Sequence, residues 1–240
     1  MSKNRNTPML NIIVANARPI MKAFTPIAVA LAVLVFLFSG KASAETEFKE
    51  GVHYTEYTTP VSKRPIVVEY FSVFCPACNN FNKYQQQITD SIPSNTTKRR
   101  VHVDFLKGAD PQGMKEIAKV VALTELYSTE LKTNPVDDLF DVIHIHNSNL
   151  NTVAVQKIIS VHDELNKDID LIEAFNSEKV ERFAHASTMN QSAMQQAGAL
   201  SSVPTLMVNG RYKVNLSALS RDRAFAELNE LITFLNKKHF

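Results

Sequence analysis

Apolar and polar positions change their rhythm several times along this chain. Residues 66–74 (Ile66-Val67-Val68-Glu69-Tyr70-Phe71-Ser72-Val73-Phe74) are β-branched or aromatic almost throughout, which predicts a strand buried on both faces. Glu69, Phe71 and Val73 share one of its faces, opposite Tyr70 and Ser72. Cys75 ends the run. Pro76 suits the first turn of a helix, where its missing N–H costs nothing. Residues 79–92 continue as one helix, with Phe81, Tyr84 and Ile88 on a single stripe. Residues 101–106 alternate again and predict a second central strand. Strand, helix and strand of these lengths form a parallel crossover. Residues 53–58 alternate more weakly, as an edge strand does.

From residue 114 to about 196 the period is helical and no strand pattern intervenes. Pro135 separates a first helical region from a second over 136–145. Residues 153–165 give a third, and 169–196 one or two more. Strand character returns at 205–208. Asn209-Gly210 then leads into 212–214, a strong short-range hairpin signal. An amphipathic helix over 218–237 closes the chain. The order is β-β-α-β, a block of helices, then β-β-α: a sheet interrupted by a helical insertion and completed afterward.

The first 44 residues stand outside this scheme. Lys3, Arg5, Arg18 and Lys22 precede an unbroken apolar run over 27–38, and Ala42-Ser43-Ala44 follows. That is the layout of a secretory signal cleaved after Ala44. The run is too short for a comfortable membrane span, which needs about 20 apolar residues. Met21 could itself open a compact signal. Removing the signal takes five basic residues with it, leaving 21 Lys and Arg against 24 Asp and Glu, a net charge of −3. A near-neutral product offers no electrostatic reason to expect nucleic acid or an anionic membrane as partner. A monomer is expected, because nothing in the pattern calls for an obligate oligomer.

Export gives the cysteines their weight. Cys75 and Cys78 are the only two in 240 residues, and exported proteins live where disulfides persist. The pair can cycle between dithiol and disulfide, contribute half a metal site, or act as an inert staple. A zinc site wants four ligands, and no further cysteine exists; His144 and His146 point to different helix faces, while His162 and His185 are isolated. A staple closing so short a loop restricts the unfolded chain little. On a helix, positions i and i+3 share a face, close enough for a disulfide. Cys75 at the helix start would have its thiolate favoured by unpaired N–H groups and the helix dipole. A strand feeding a C-x-x-C helix in a β-α-β unit reads as a thioredoxin-like redox site. Two further positions stand out. Pro204, after Val203, marks a strand start, an edge or a cis bond facing the cysteines. Glu69 is either solvent-facing or a buried acid able to relay the proton of Cys78.

The stretch Val68-Glu69-Tyr70-Phe71-Ser72-Val73-Phe74-Cys75-Pro76-Ala77-Cys78 resembles the active-site run of the DsbA family of thiol:disulfide oxidoreductases. Val203-Pro204-Thr205-Leu206-Met207-Val208-Asn209-Gly210-Arg211-Tyr212 resembles that family's cis-proline strand and hairpin. Together with residues 100–106 and Gly51-Val52-His53-Tyr54, the likeness spans nearly all of 45–240. It implies an α/β thioredoxin fold, with a first part over 45–108, an inserted all-helical domain over 109–197 and a second part over 198–240. It further implies a periplasmic disulfide donor to unfolded or newly exported cysteine-containing proteins, re-oxidised by a DsbB-type inner-membrane, quinone-linked oxidase, with no metal or organic cofactor. Carried over by position, Cys75 is the exposed nucleophile and Cys78 the buried partner of a redox-active disulfide. Pro204 is the cis-proline and Glu69 the buried acid. Val203, Pro76, Ala77 and Phe74 border the substrate. The best-known members have histidine where Ala77 stands, so a less oxidising disulfide is expected. The same fold also accommodates a reductase or isomerase, and a different class, a peptide-binding chaperone with a silent cysteine pair, is the remaining alternative.

Overall fold

Every side chain from Val67 to Phe71 is buried, and this strand, β2 (Ile66–Phe71), has neighbours on both edges. The computed structural model describes residues 47–240. The signal segment and its cleavage after Ala44 lie outside the described residues. Among the described residues β1 (Tyr54–Glu56), β2, β3 (Thr97–His102), β4 (Thr205–Val208) and β5 (Tyr212–Val214) form one sheet in the order β1-β5-β4-β2-β3. β2 and β3 are parallel, and the other pairings are antiparallel.

The parallel pair is joined by α1 (Pro76–Asn82) and α2 (Gln85–Asp90). The single helix expected over 79–92 is thus two, broken at Lys83 and Tyr84. Ile88 packs into the core while Tyr84 stands half exposed, so the expected stripe is interrupted. β3 starts four residues earlier than its apolar alternation suggested, because its polar first half is tied into the β2 ladder, Ile66 opposite Thr97 and Glu69 opposite Arg100. β2 stops at Phe71 rather than running to Phe74.

Between β3 and β4 come α3 (Pro111–Leu126), α4 (Pro135–His144), α5 (Thr152–Leu165), α6 (Leu171–Phe175) and α7 (Glu178–Gln196). Asp110, Asn134, Asn151, Asp170 and Ser177 cap them, each side chain accepting a backbone N–H of the first turn. Pro111 and Pro135 open α3 and α4 instead of merely breaking helices. Ile117, Val120, Leu139, Phe140, Val155 and Leu171 build a core that extends to Phe71, Val73 and Cys78. His162 is buried there and hydrogen-bonded: its ring nitrogens lie 2.8 Å from Thr133 Oγ1 and 2.8 Å from Asp138 Oδ2.

The last segment adds β4, β5 and α8 (Ala224–His239), which begins six residues later than its amphipathic pattern suggested, after a short 3-10 turn over Leu216–Ala218. One face of the sheet, with Val67, Leu206 and Val208, packs on Leu228, Leu231 and Leu235 of α8; the other, with Val68, Tyr70 and Met207, meets Met194 of α7 and Leu200. Asn209 and Gly210 both have positive φ, 56° and 70°, as a mirror-image hairpin turn requires. Asn209 also accepts the Ile66 N–H at 3.0 Å and donates to Asn236 at 3.0 Å, bracing the hairpin to β2 and α8. The result is a thioredoxin fold with a helical insertion. Among the described residues no helix is long and apolar enough to cross a membrane.

Candidate active site

The site begins where β2 lets go of the sheet. After Phe71 the chain turns: the Cys75 N–H donates to the Ser72 carbonyl at 3.1 Å and the Phe74 N–H to Ser72 Oγ at 3.2 Å. Cys75 is the N-cap of α1, in extended backbone geometry, with Pro76 in the first turn. Its Sγ accepts the N–H of Cys78 at 3.4 Å, a place usually taken by a serine or aspartate oxygen. A sulfur there sits among unpaired helical N–H groups, where negative charge is favoured. Pro76 and Ala77 lie beside it, and Phe74 is half-buried.

Facing Cys75 is the segment that enters β4. Tyr70 is registered against Thr205, so antiparallel pairing carries the residues before Thr205 alongside those after Tyr70. The Val203–Pro204 peptide bond is cis. The Cys75 thiol lies 3.6 Å from the Val203 carbonyl and donates to it. Thr205 Oγ1 donates to the Ser202 carbonyl at 2.7 Å, closing the approach to the strand.

Cys78, one turn further, has no exposed surface. Burial pushes its thiol well above the ordinary range; hydrogen bonding to Cys75 and the negative charges of Cys75 and Glu69 add to this, and only the Ser72 backbone opposes it. Both cysteines are free thiols in this structure. The two are therefore chemically unlike: a reachable sulfur at a helix tip, and a buried one that holds its proton.

Of the two readings of Glu69, the structure has the buried one: 1% of its surface is exposed. Its surroundings were not foreseen. Arg100 from β3 donates through Nε to Glu69 Oε2 at 3.1 Å and through a terminal nitrogen to Oε1 at 3.4 Å, and Gln85 of α2 donates to Oε2 at 2.8 Å. Arg100 also donates to Asn82 Oδ1 at 2.8 Å, and its guanidinium lies 4.2 Å from the centre of the Phe71 ring. Lys98 reaches the same network through Gln85 Oε1 at 2.6 Å. Arg100 and Lys98 precede the strand expected over 101–106; a cation there is at most a weak signal of a partner for Glu69, and the register that sets Arg100 opposite Glu69 is not written in the sequence. Gln85 and Asn82 carry no such signal.

A second unforeseen residue is His144, at the end of α4. Its Nε2 donates to the Val73 carbonyl at 2.8 Å, within the turn that precedes the cysteines. On the other flank the Phe74 ring meets His102 edge-on and covers Gly108. His102 is buried and its imidazole is held neutral, pushed down to about 3 by burial and by the nearby Arg100. A cavity of about 930 Å³ between the end of β3, α3 and α7 is bordered by His102 and Lys119 but includes neither cysteine.

This geometry has counterparts among known proteins. A family model described as thioredoxin matches residues 62–232. The thiol:disulfide interchange protein DsbA of Pectobacterium carotovorum subsp. carotovorum is 29% identical over 216 residues, covering 87% of this chain and 97% of that protein. The disulfide oxidoreductase DsbA of Proteus mirabilis superposes with a TM-score of 0.64 at 25% identity, over 80% of this chain and 98% of that one. A cysteine-to-serine form of the same protein, holding a non-covalently bound peptide, superposes with a TM-score of 0.63 at 24% identity over the same shares.

Proposed function

We propose, for a chain that belongs to the thioredoxin family and within it is a DsbA-type thiol:disulfide oxidoreductase, that it donates the Cys75–Cys78 disulfide to newly exported proteins in the periplasm. The observation that carries this is the pairing of an accessible Cys75 Sγ at the start of α1 with the Val203 carbonyl, 3.6 Å away, while Cys78 is wholly buried.

A substrate thiolate attacks Cys75 Sγ. The Cys75–Cys78 bond breaks and its electron pair goes to the Cys78 sulfur, which takes a proton. The mixed disulfide at Cys75 lies against Val203 and Pro204, whose backbone groups can bond an extended substrate. A second substrate thiolate attacks the substrate sulfur of that bond. Cys75 then leaves as a thiolate favoured by the helix start. Two electrons have moved from substrate to enzyme, with no metal or organic cofactor involved. Because burial disfavours the Cys78 thiolate, its departure needs a proton, and Glu69 relays it, held in place by Arg100 and Gln85. Phe74, Pro76, Ala77 and Val203 border the bound chain. The peptide held by the Proteus mirabilis relative supports a peptide substrate here. With alanine at position 77, the disulfide is a milder oxidant than that of relatives with histidine there. A DsbB-type, quinone-linked membrane oxidase restores the disulfide, and residues 1–44 direct the chain to the compartment where this occurs.

The test is to incubate the oxidised protein with a reduced, unfolded protein containing two cysteines and to follow thiols by alkylation and mass shift. Wild type should oxidise it and Cys75→Ser should not. Cys78→Ser, first converted by oxidised glutathione to the glutathione mixed disulfide at Cys75, should exchange glutathione for the substrate and accumulate the substrate mixed disulfide there. Suppression of aggregation by Cys75→Ser with no thiol exchange by wild type would leave the chaperone reading standing instead.

A further inference from the structure

The carbonyl of Val73 occupies an unusual place. It belongs to neither β2 nor α1, and Val73 is completely buried. Its neighbours in the turn are served by backbone: Val103 N–H bonds the Phe71 carbonyl at 2.8 Å and Cys75 N–H the Ser72 carbonyl at 3.1 Å. Among the described residues no backbone N–H bonds Val73 O. Its partner is the side chain of His144, 71 residues away in the helical insertion.

That side chain is held firmly. The His144 ring stacks on Phe140 at 6.1 Å and 28°, and Phe140 packs at 5.9 Å on Phe71, the last residue of β2. A carbonyl only accepts, so Nε2 carries the hydrogen. The same helix touches the far end of α1 as well, where Asp137 accepts from Asn82 at 2.7 Å. α4 therefore meets the cysteine segment both before its first residue and at its last.

We propose that His144 is a positioning residue for disulfide exchange: by bonding Val73 O it fixes the Val73–Phe74 peptide plane, one residue before Cys75 enters α1, and so sets the redox poise of the pair. The inference rests on exchange at Cys75. The two contacts that serve the Cys75 sulfur, 3.4 Å to the Cys78 N–H and 3.6 Å to Val203 O, both depend on where the turn sets the Cys75 side chain, so a rotation of the turn weakens them. The sulfur draws on the Cys78 N–H most when it is a thiolate, whereas the disulfide has no charge to settle. Releasing the turn therefore weakens the reduced form. Ala77, a methyl group, supplies no hydrogen bond in compensation.

The experiment is the equilibrium of the Cys75–Cys78 pair with glutathione at pH 7, in wild type and two variants. His144→Phe keeps the ring on Phe140 but has no donor. His144→Gln carries an amide N–H to nearly the same point. The Phe variant should favour the dithiol about five-fold less than wild type, as expected for one lost hydrogen bond of ordinary net strength, and Gln should restore more than half of that loss. Should the Phe variant fail to fold, His144→Asn, whose amide falls short of Val73 O, takes its place with the same expected shift. Either a donor-less variant within two-fold of wild type, or Gln displaced as far as Phe, overturns the proposal. If the wild-type pair does not equilibrate with glutathione, the exchange reading fails, and the assignment of His144 with it.

Discussion

Replacing Arg100 with methionine keeps a long stem over Phe71 but removes the cation from a carboxylate that has 1% of its surface exposed. At the observed 3.1 Å the two unit charges attract by about 5 kcal/mol for an effective dielectric of about 20. Loss of water costs each ion several kcal/mol, so attraction and desolvation nearly cancel and the intact pair is worth little net. The single variants are a different matter. Arg100→Met strands Glu69 with Gln85 as its remaining side-chain donor, which costs about 3–5 kcal/mol. Glu69→Gln strands Arg100 less severely, because Asn82 and the Phe71 ring still face the guanidinium; about 2–3 kcal/mol is expected. The double variant buries neither charge and should recover most of the loss, to within about 1–2 kcal/mol of wild type. Urea unfolding of the four proteins at pH 7, with excess dithiothreitol holding the cysteines reduced, closes the cycle. Losses that simply add in the double variant would refute the view that these residues act as one buried unit.

Two further perturbations probe the surroundings of the site. Gly108→Ala would drive a methyl group into the Phe74 ring, so a loss of about 1–3 kcal/mol and slower exchange at the adjacent Cys75 are expected; unchanged stability and rate would mean the ring is free to swing aside. Glu125 of α3 is lifted from 4.5 to about 7, chiefly by burial, against the pull of Arg100 and Lys98. A carboxyl raised on folding holds its proton longer in the native state, so stability falls as pH rises from about 4.5 to 7 and stays lowered above that. Glu125→Gln should therefore gain up to about 3 kcal/mol over wild type at pH 8, at about 1.4 kcal/mol per unit, with the gain vanishing below about pH 4. A pH-independent difference in urea midpoint would contradict this.

Much of the architecture was readable because the signals were local. Unbroken β-branched and aromatic residues announced β2, a helical period marked the insertion, and Asn209-Gly210 marked the β4–β5 turn. Element ends were less legible. Thr97-Lys98-Arg99-Arg100 has no apolar alternation, and it becomes strand because β2 offers it a ladder, with Arg100 turned toward Glu69. Helix α1 stops at Asn82 although the apolar stripe runs on. At the site, Cys75 and Cys78 were legible from spacing and Pro204 from its place before a strand. Arg100 and His144 act across the fold, on Glu69 and on Val73 O. Such pairings depend on which surfaces tertiary packing brings together, and no window of neighbouring residues encodes them.

The sulfur of Cys75 and the carbonyl beside it are 128 residues apart in the chain. A growing polypeptide therefore presents Cys-Pro-Ala-Cys long before it can present Val203. Until β4 arrives, the edge of β2 it will occupy is open and the two thiols belong to an unfinished chain like any other. The long-range closure is also the slow kind, because the intervening loop must be ordered first. During its own synthesis the protein thus carries the same kind of exposed thiol pair as any unfinished chain, and it becomes a thiol:disulfide oxidoreductase only when its last strands are in place.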